Sequence, residues 1–337
     1  MASSHGRPVL WVAKRRVLTM GARMSSSLYK KTAILGATGH IAKSLIDGFH
    51  RLGYYELFLF ARSLDYLSGF LTGIKCDNAS CKPFEGFAGE EYNVIINCVG
   101  IGDPGKLKNA GALIFRLTEA YDNLVLDYLK THPDTLYINI SSGAVYGTDF
   151  EQPAENATCT RLGVNHITSQ DYYGIAKLNS EAKHRALADL NIIDLRVFGF
   201  FSRFIDPKAQ YLINEVIDCV RGGKELVTGP SNIVRDYVHP QDFLSLVNKC
   251  ITEHTINDVF DVYSLKPVTK FEMLEYFSAE YGLKYIVDNN MRASTATGTK
   301  DHYYSNNKSA QRIGYMPRFT SLDSIAQESQ VVLATDR

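Results

Sequence analysis

Two rhythms of hydrophobic positions alternate along the first two thirds of the chain. Short apolar runs at Thr32–Leu35, Glu56–Ala61, Gly73–Cys76, Tyr92–Val99, Leu136–Ile140 and Ile192–Phe198 read as strands, the third of them weakly. Between them, Ile41–Leu52, Leu113–Lys130 and Gln170–Leu190 read as helices. Apolar strands separated by helical crossovers are what a parallel sheet covered on both faces requires. The pattern predicts an α/β fold built on a doubly wound parallel sheet of the Rossmann type.

From about Phe200 the rhythm loosens. Tyr211–Val220, Phe243–Ile251 and Lys270–Tyr281 read as helices, Tyr237–Val238, Val259–Tyr263 and Tyr285–Val287 as extended pieces, and Asn289–Thr299 as a loop. These elements are too few and too interspersed for an autonomous fold. They predict a smaller mixed C-terminal lobe assembled on the carboxyl edge of the sheet, where a ligand crevice forms.

Composition narrows the classes of partner. Lys+Arg and Asp+Glu both number 36, so the formal net charge is +0 and the whole-molecule field offers no footprint for nucleic acid or an anionic membrane. No 18-residue apolar stretch is present. Residues 1–30 carry Arg7, Lys14, Arg15, Arg16, Arg23 and Lys30 with no acid, and read as a disordered basic leader more than as an import segment, with Met20 and Met24 as alternative starts. Cys76, Cys81, Cys98, Cys159, Cys219 and Cys250 form neither a CxxC pair nor a metal-ligand cluster, so they read as thiols of a reducing compartment. The expectations are a cytoplasmic location and no metal.

Candidate chemistry begins at Gly36-Ala37-Thr38-Gly39-His40-Ile41, directly between a strand and a helix. Gly36 permits a sharp turn, and Gly39 lets the backbone approach a pyrophosphate whose charge meets the helix N-terminus. Ala42 is compact enough for close packing of helix on sheet. The turn marks residues 31–200 as a dinucleotide-binding domain and 201–337 as mainly a substrate lobe interleaved with it. Gly36, Thr38, Gly39, His40 and Ile41 are the expected cofactor contacts. At the end of the second strand stand Arg62 and Ser63, with no acid until Asp65. A carboxylate there would repel a 2'-phosphate and an arginine would accept one, so the expectation is NADP, with NAD second. Asp77 is the candidate partner of the adenine amino group.

Tyr173 and Lys177 lie four residues apart on a helix and therefore on one face. A cation beside a phenol favours phenolate and lowers its pKa towards the range useful in acid–base chemistry. Upstream, Ser141 and Ser142 close the fifth strand, where a hydroxyl can face the crevice and orient a carbonyl.

Taken in order, Gly36–Ile41, Ser141-Ser142-Gly143-Ala144-Val145-Tyr146-Gly147, Tyr173-Gly174-Ile175-Ala176-Lys177, Arg235-Asp236-Tyr237-Val238-His239 and Ser305 to Pro317 resemble the motifs of extended short-chain dehydrogenases/reductases, above all the NAD-dependent epimerase/dehydratase family acting on nucleotide sugars. The resemblance spans about residues 31 to 328. It implies a Ser142, Tyr173, Lys177 catalytic set. Tyr173 exchanges the proton, Lys177 binds the nicotinamide ribose, Ser142 polarises the substrate oxygen and Arg235 holds a substrate diphosphate. It also implies a small-molecule substrate, a nucleotide sugar, and dimerisation through helices that include the Tyr–Lys one.

Two departures direct the choice of reaction. Family dehydratases carry acids at the fifth strand end, where this chain has Ser142-Gly143-Ala144, so dehydration is disfavoured. Together with Arg62, this makes the expected reaction NADPH-dependent reduction of a nucleotide-linked 4-keto-6-deoxy sugar. A nucleotide-sugar epimerase comes second and a non-catalytic dinucleotide-binding regulator third. After the sixth strand, Gly199 replaces the family's diphosphate-binding asparagine and Ser202-Arg203 replaces Gly-Pro. Arg203 is the candidate that restores the lost contact.

Overall fold

The computed structural model describes residues 30–253, 256–291 and 300–334. The expected leader, but for Lys30, lies outside the described residues, as does most of the expected loop at 289–299. The first half runs β1 (Lys30–Leu35), α1 (His40–Leu52), β2 (Tyr55–Phe60), α2 (Leu64–Gly73), β3 (Ala79–Lys82), β4 (Val94–Asn97), α3 (Pro104–Ala110), α4 (Leu113–Leu129), β5 (Leu136–Ser142), α5 (Tyr172–Ala186) and β6 (Ile192–Val197). The second half runs β7 (Gly199–Phe200), α6 (Leu212–Gly222), β8 (Glu225–Thr228), β9 (Val234–Arg235), β10 (Tyr237–Val238), α7 (Pro240–Thr252), β11 (Asn257–Asp261), β12 (Val268–Thr269), α8 (Lys270–Tyr281), β13 (Lys284–Val287), β14 (His302–Tyr303) and α9 (Ser321–Ala334).

Seven parallel strands form the main sheet in the order β11-β6-β5-β4-β1-β2-β3. The alternation of side chains explains why both faces are covered. Ile34, Leu57, Leu59, Val94 and Ile96 point to one face, where they join Leu45, Ile46 and Phe49 of α1 and Phe243, Leu246 and Val247 of α7. Ala33, Leu35, Phe58, Phe60 and Ile95 point to the other, against Val125 and Leu129 of α4. Helix α1 meets α7 at Gly48, where an added Cβ would lie 2.6 Å from Leu244.

The sequence reading does not name α2, α3, β8 or α9, and three of the elements that it does name differ. Residues 73–76 are not a strand: Gly73 ends α2, and the third strand begins only at Ala79. The helix predicted over 170–190 is shorter at both ends. The strand near Val259 belongs to the main sheet, paired in parallel with β6, because Phe260 and, just beyond the strand, Val262 join the core layer there. The smaller lobe has its own core of Phe201, Ile213, Val216, Leu226, Leu274, Phe277 and Ile325. It carries the short pairings β10-β7, β12-β9-β14 and β13-β8, of mixed direction. Among the described residues no helix is long and apolar enough to cross a membrane.

Candidate active site

Strand order reverses between β1 and β4, and the crevice beyond their carboxyl ends is where this architecture receives ligands. The turn after β1 is built for close approach. Gly36 has φ +74°, and an added Cβ would meet the Cys98 and Val99 backbone at 3.1 Å. The Gly36 and Ala37 amides both donate to the Phe60 carbonyl, at 2.9 and 3.0 Å, which ties the turn to the end of β2. Gly39 starts α1 with no side-chain cap, and no acid stands in the first turn. The amides at this N-terminus are therefore free to meet an anion, which suits a dinucleotide pyrophosphate. Thr38, His40 and Ile41 are half-buried around it. His40 Nε2 lies 2.8 Å from Ser202 Oγ, which lies 2.8 Å from Ser44 Oγ. Burial lowers the His40 pKa to about 4, so it pins the turn as a neutral ring.

Two expected cofactor contacts change. Asp77 is exposed in the turn before β3, at the amino edge of the sheet. Because β3 runs parallel to β1 through β2, Asp77 is separated from the Gly36 edge by roughly 13 Å of strand. It is therefore no partner for an adenine there. Arg62 and Ser63 do follow β2 at the correct edge, but both are exposed, and among the described residues the Arg62 guanidinium makes no ion pair or hydrogen bond.

The Ser–Tyr–Lys group assembles where β5 meets α5. Ser142 ends β5; its Oγ accepts from the Ala144 amide and shares a 3.2 Å hydrogen bond with the Tyr303 hydroxyl. The same serine stands near the Tyr173 phenol and favours its ionised form. Helix α5 comes this close because residue 174 is glycine: a Cβ there would lie 2.4 Å from the Ala144 carbonyl oxygen. The expected acidification of Tyr173 by Lys177 is not what the structure holds. Lys177 Nζ donates to the Ile140 carbonyl at 2.8 Å, and burial pushes the Tyr173 phenol above its ordinary value, against the pull of Ser142. Burial also lowers the Lys177 ammonium, with Asp122, Asp194 and Glu181 acting in the opposite direction.

A buried polar layer supports this group from behind. Ser141 Oγ donates to Glu181 at 2.5 Å, and Arg196 binds Glu181 with Nε at 3.1 Å and NH2 at 2.6 Å. His184 bridges Asp122 and Asp194 at 2.7 and 2.9 Å. Burial opposes its charge, but hydrogen bonds to the two aspartates raise its pKa to about 9. Glu181 lies one turn beyond Lys177, a spacing that could have signalled it from sequence.

Of the candidate substrate residues, Arg235 sits beside Tyr303 in the β9–β14 pairing and Arg203 does not take the role expected of it. Arg235 is half-buried, with NH1 on the carbonyls of Val234 and Lys300, both at 2.8 Å. The Arg203 guanidinium is spent on Glu328, at 2.9 Å through Nε and 2.7 Å through NH2, so it locks α9 to the lobe. Gly199 has its own reason to be small, since an added Cβ would lie 2.5 Å from the Asp236 carbonyl oxygen. Sequence reasoning passed over Tyr211, whose burial-raised pKa also registers Tyr173 and Tyr303 nearby. Tyr211 lines a cavity of about 830 Å³ with Gln210, Asn214, Lys224, Thr228 and Lys270.

Residues 32–265 match the model of the NAD dependent epimerase/dehydratase family, and the chain belongs to that family. No curated protein matches the sequence. Among solved structures, UDP-glucose-4-epimerase from Stenotrophomonas maltophila, bound to NAD and formylated UDP-arabinopyranose, is similar with TM-score 0.76 at 15% identity, over 91% of this chain and 99% of that one. UDP-glucuronic acid 4-epimerase from Bacillus cereus, with UDP-glucuronic acid and NAD, gives 0.73 at 14%, over 91% and 100%. The dTDP-glucose 4,6-dehydratase of Bacillus anthracis str. Ames, with NAD, gives 0.70 at 16%, over 89% and 96%. These likenesses show the fold. The chain is an NAD(P)-dependent enzyme of the oxidoreductase type. The NADP preference is corrected to NAD: the family is NAD dependent, these three structures hold NAD, and the solvated Arg62 builds no pocket for a 2'-phosphate.

Proposed function

We propose that this chain epimerises a nucleotide sugar with a retained NAD, one acid–base group serving both halves of the reaction. The observation that carries the reading is the Ser142–Tyr173–Lys177 group beside a strand end that cannot hold an elimination acid. A Cβ on Gly143 would lie 2.4 Å from the Phe198 ring, and Ala144 is buried. The family's NAD dependence favours internally balanced redox over consumption of a reductant, which moves the epimerase ahead of the ketoreductase expected from Arg62.

A bound NAD would supply reversible hydride transfer to and from the sugar carbon, with a ketone between the two alcohols and no external reductant. Tyr173 takes the proton of the sugar hydroxyl as the ketone forms and restores it when the alcohol re-forms. Ser142 holds that oxygen by a hydrogen bond throughout. Lys177 would bind the nicotinamide ribose, and Gly36, Thr38, Gly39 and the α1 amides would hold the pyrophosphate. Arg235 would meet the substrate diphosphate, and the cavity lined by Tyr211 is large enough for a nucleoside. Binding of these unreactive parts positions the sugar carbon.

A homodimer packed through α4 and α5 belongs to the same proposal, to be read from sedimentation equilibrium. So does a cytoplasmic location, which the six free thiols support. The reaction is tested by incubating NAD-loaded enzyme with UDP-sugars deuterated at the reacting carbon and no added reductant. Interconversion of epimers with the sugar-bound deuterium conserved is the expected result. No interconversion there, with stoichiometric oxidation of NADH or NADPH in a parallel incubation with a nucleotide-linked 4-keto sugar, would instead restore the reductase, and a product lighter by one water the dehydratase.

A further inference from the structure

The cleft contains a cation that the proton-transfer scheme does not use. Lys300 is 6% exposed, yet among the described residues its ammonium meets no carboxylate and no hydrogen-bond acceptor. Its neighbours are the faces of Tyr303 and Phe150, at 4.1 and 5.4 Å from the ring centroids. The other two buried lysines are different: Lys177 donates to the Ile140 carbonyl and Lys270 to that of Gly229. Arg235 adds a second positive charge, because its NH1 bonds the Lys300 carbonyl at 2.8 Å. Burial first, and then Arg235, pull the Lys300 ammonium down to about 7. Two adjacent cations in a partly dry site, one with only aromatic faces for company, are costly until a ligand brings negative charge.

The position of Lys300 indicates which part of a ligand it would meet. Tyr303, whose ring it covers, shares its hydroxyl with Ser142, so Lys300 stands one ring away from the serine assigned to the reacting oxygen. It lines the same small cleft as Ala144, Gly147 and Gly174, and is not among the residues lining the large cavity behind Tyr211. Its link to Ser142 through Tyr303 sets it near the reacting oxygen and apart from that cavity.

We infer that Lys300 is a substrate-contacting residue that receives a carboxylate carried on the sugar ring, making a nucleotide-linked uronic acid the favoured substrate class. The inference rests on the nucleotide-sugar reading above. Arg235 is left to the diphosphate, and the lysine supplies a point charge that a neutral hexose does not use.

The test is calorimetric binding of UDP, UDP-glucose and UDP-glucuronic acid to the NAD-loaded full chain, as wild type and as Lys300→Met. Lys300→Gln serves as a second variant, and thermal unfolding of each checks that it folds. Wild type should bind UDP-glucuronic acid at least about 10-fold more tightly than UDP-glucose, and Lys300→Met should erase that preference while leaving UDP and UDP-glucose within about 2-fold. An equal loss on all three ligands would assign the lysine to the diphosphate and overturn the inference, as would unchanged affinities. Wild type that binds UDP and UDP-glucose with no preference for the uronate rejects the inference alone. Wild type that binds none of the three rejects the nucleotide-sugar reading, and the inference with it.

Discussion

Ser142 Oγ and the Tyr303 hydroxyl lie 3.2 Å apart, so the serine beside Tyr173 also meets a second phenol, from the C-terminal lobe. Only Tyr173 stands four residues from Lys177 on α5. Tyr173→Phe should keep NAD affinity and lose about 100-fold or more in turnover, whereas Tyr303→Phe should stay within about 10-fold. Steady-state rates on the interconverted sugars measure both, and equal losses would give the proton to neither phenol in particular.

The cofactor turn should tolerate change at its rim and not at its floor. Gly36→Val adds bulk where a Cβ already meets the Cys98 and Val99 backbone, at a positive φ that valine resists. NAD binding, followed by calorimetry, should be abolished. Arg62→Ala should leave it within about 2-fold, because a solvated guanidinium contributes little.

Placing an acid at the strand end should not create a dehydratase. Gly143→Asp must displace the Phe198 ring from 2.4 Å, and overpacking of this kind costs about 1 to 3 kcal/mol. Urea unfolding should show that loss, and mass spectrometry should show no dehydrated sugar. A stable variant that eliminates water would contradict the steric argument.

Arg203 should behave as a clamp for the lobe. Arg203→Ala strands the buried Glu328 carboxylate and should cost about 1 to 3 kcal/mol, discounted because the arginine itself is about a third exposed. Affinity for UDP-sugars should be unchanged once the protein is kept below its shifted melting temperature. A selective loss of that affinity would return Arg203 to the substrate site.

The buried His184 makes stability depend on pH. Its pKa is raised from 6.5 to about 9, so its contribution is complete below 6.5 and lost as pH rises through 9. For Asp122, burial acts upward, but hydrogen bonds to His184 and Lys183 hold the carboxyl down from 3.8 to about 2; its contribution is present above 3.8 and lost as pH falls through 2. The melting temperature should therefore decline between pH 6.5 and 9. In His184→Gln that decline should flatten, and an identical slope in the two proteins would remove His184 as its cause.

Much of the sheet was legible because period-two and helical patterns report burial directly. The Gly36 turn, the Ser142 strand end and the α5 pair stand where strand and helix signals were strongest. The failures share another cause. Gly73–Cys76 looks extended because its apolar residues, Ile74 and Cys76, pack on the core just as the chain leaves a helix. Arg62 and Asp77 were judged by residue type, and type does not reveal which edge of the sheet a residue occupies or whether water already satisfies it. Arg203 and Glu328 are 125 residues apart, and no local pattern announces their pairing. Lys300 was invisible for the same reason: its isolation is a property of its surroundings.

Two residues of β7 pair with two of β10, setting Tyr237 beside Gly199 and Val238 beside Phe200. The segment carrying Arg235 is thus stitched to the exit of β6, while β11, from farther along the chain, closes the edge of the main sheet. Such a chain is not modular at a single junction. A graft that imported another relative's sugar-recognition half by one crossover near residue 200 would also replace the seventh strand beneath it. Recombination that preserves the scaffold needs separate exchanges on either side of α7 and β11.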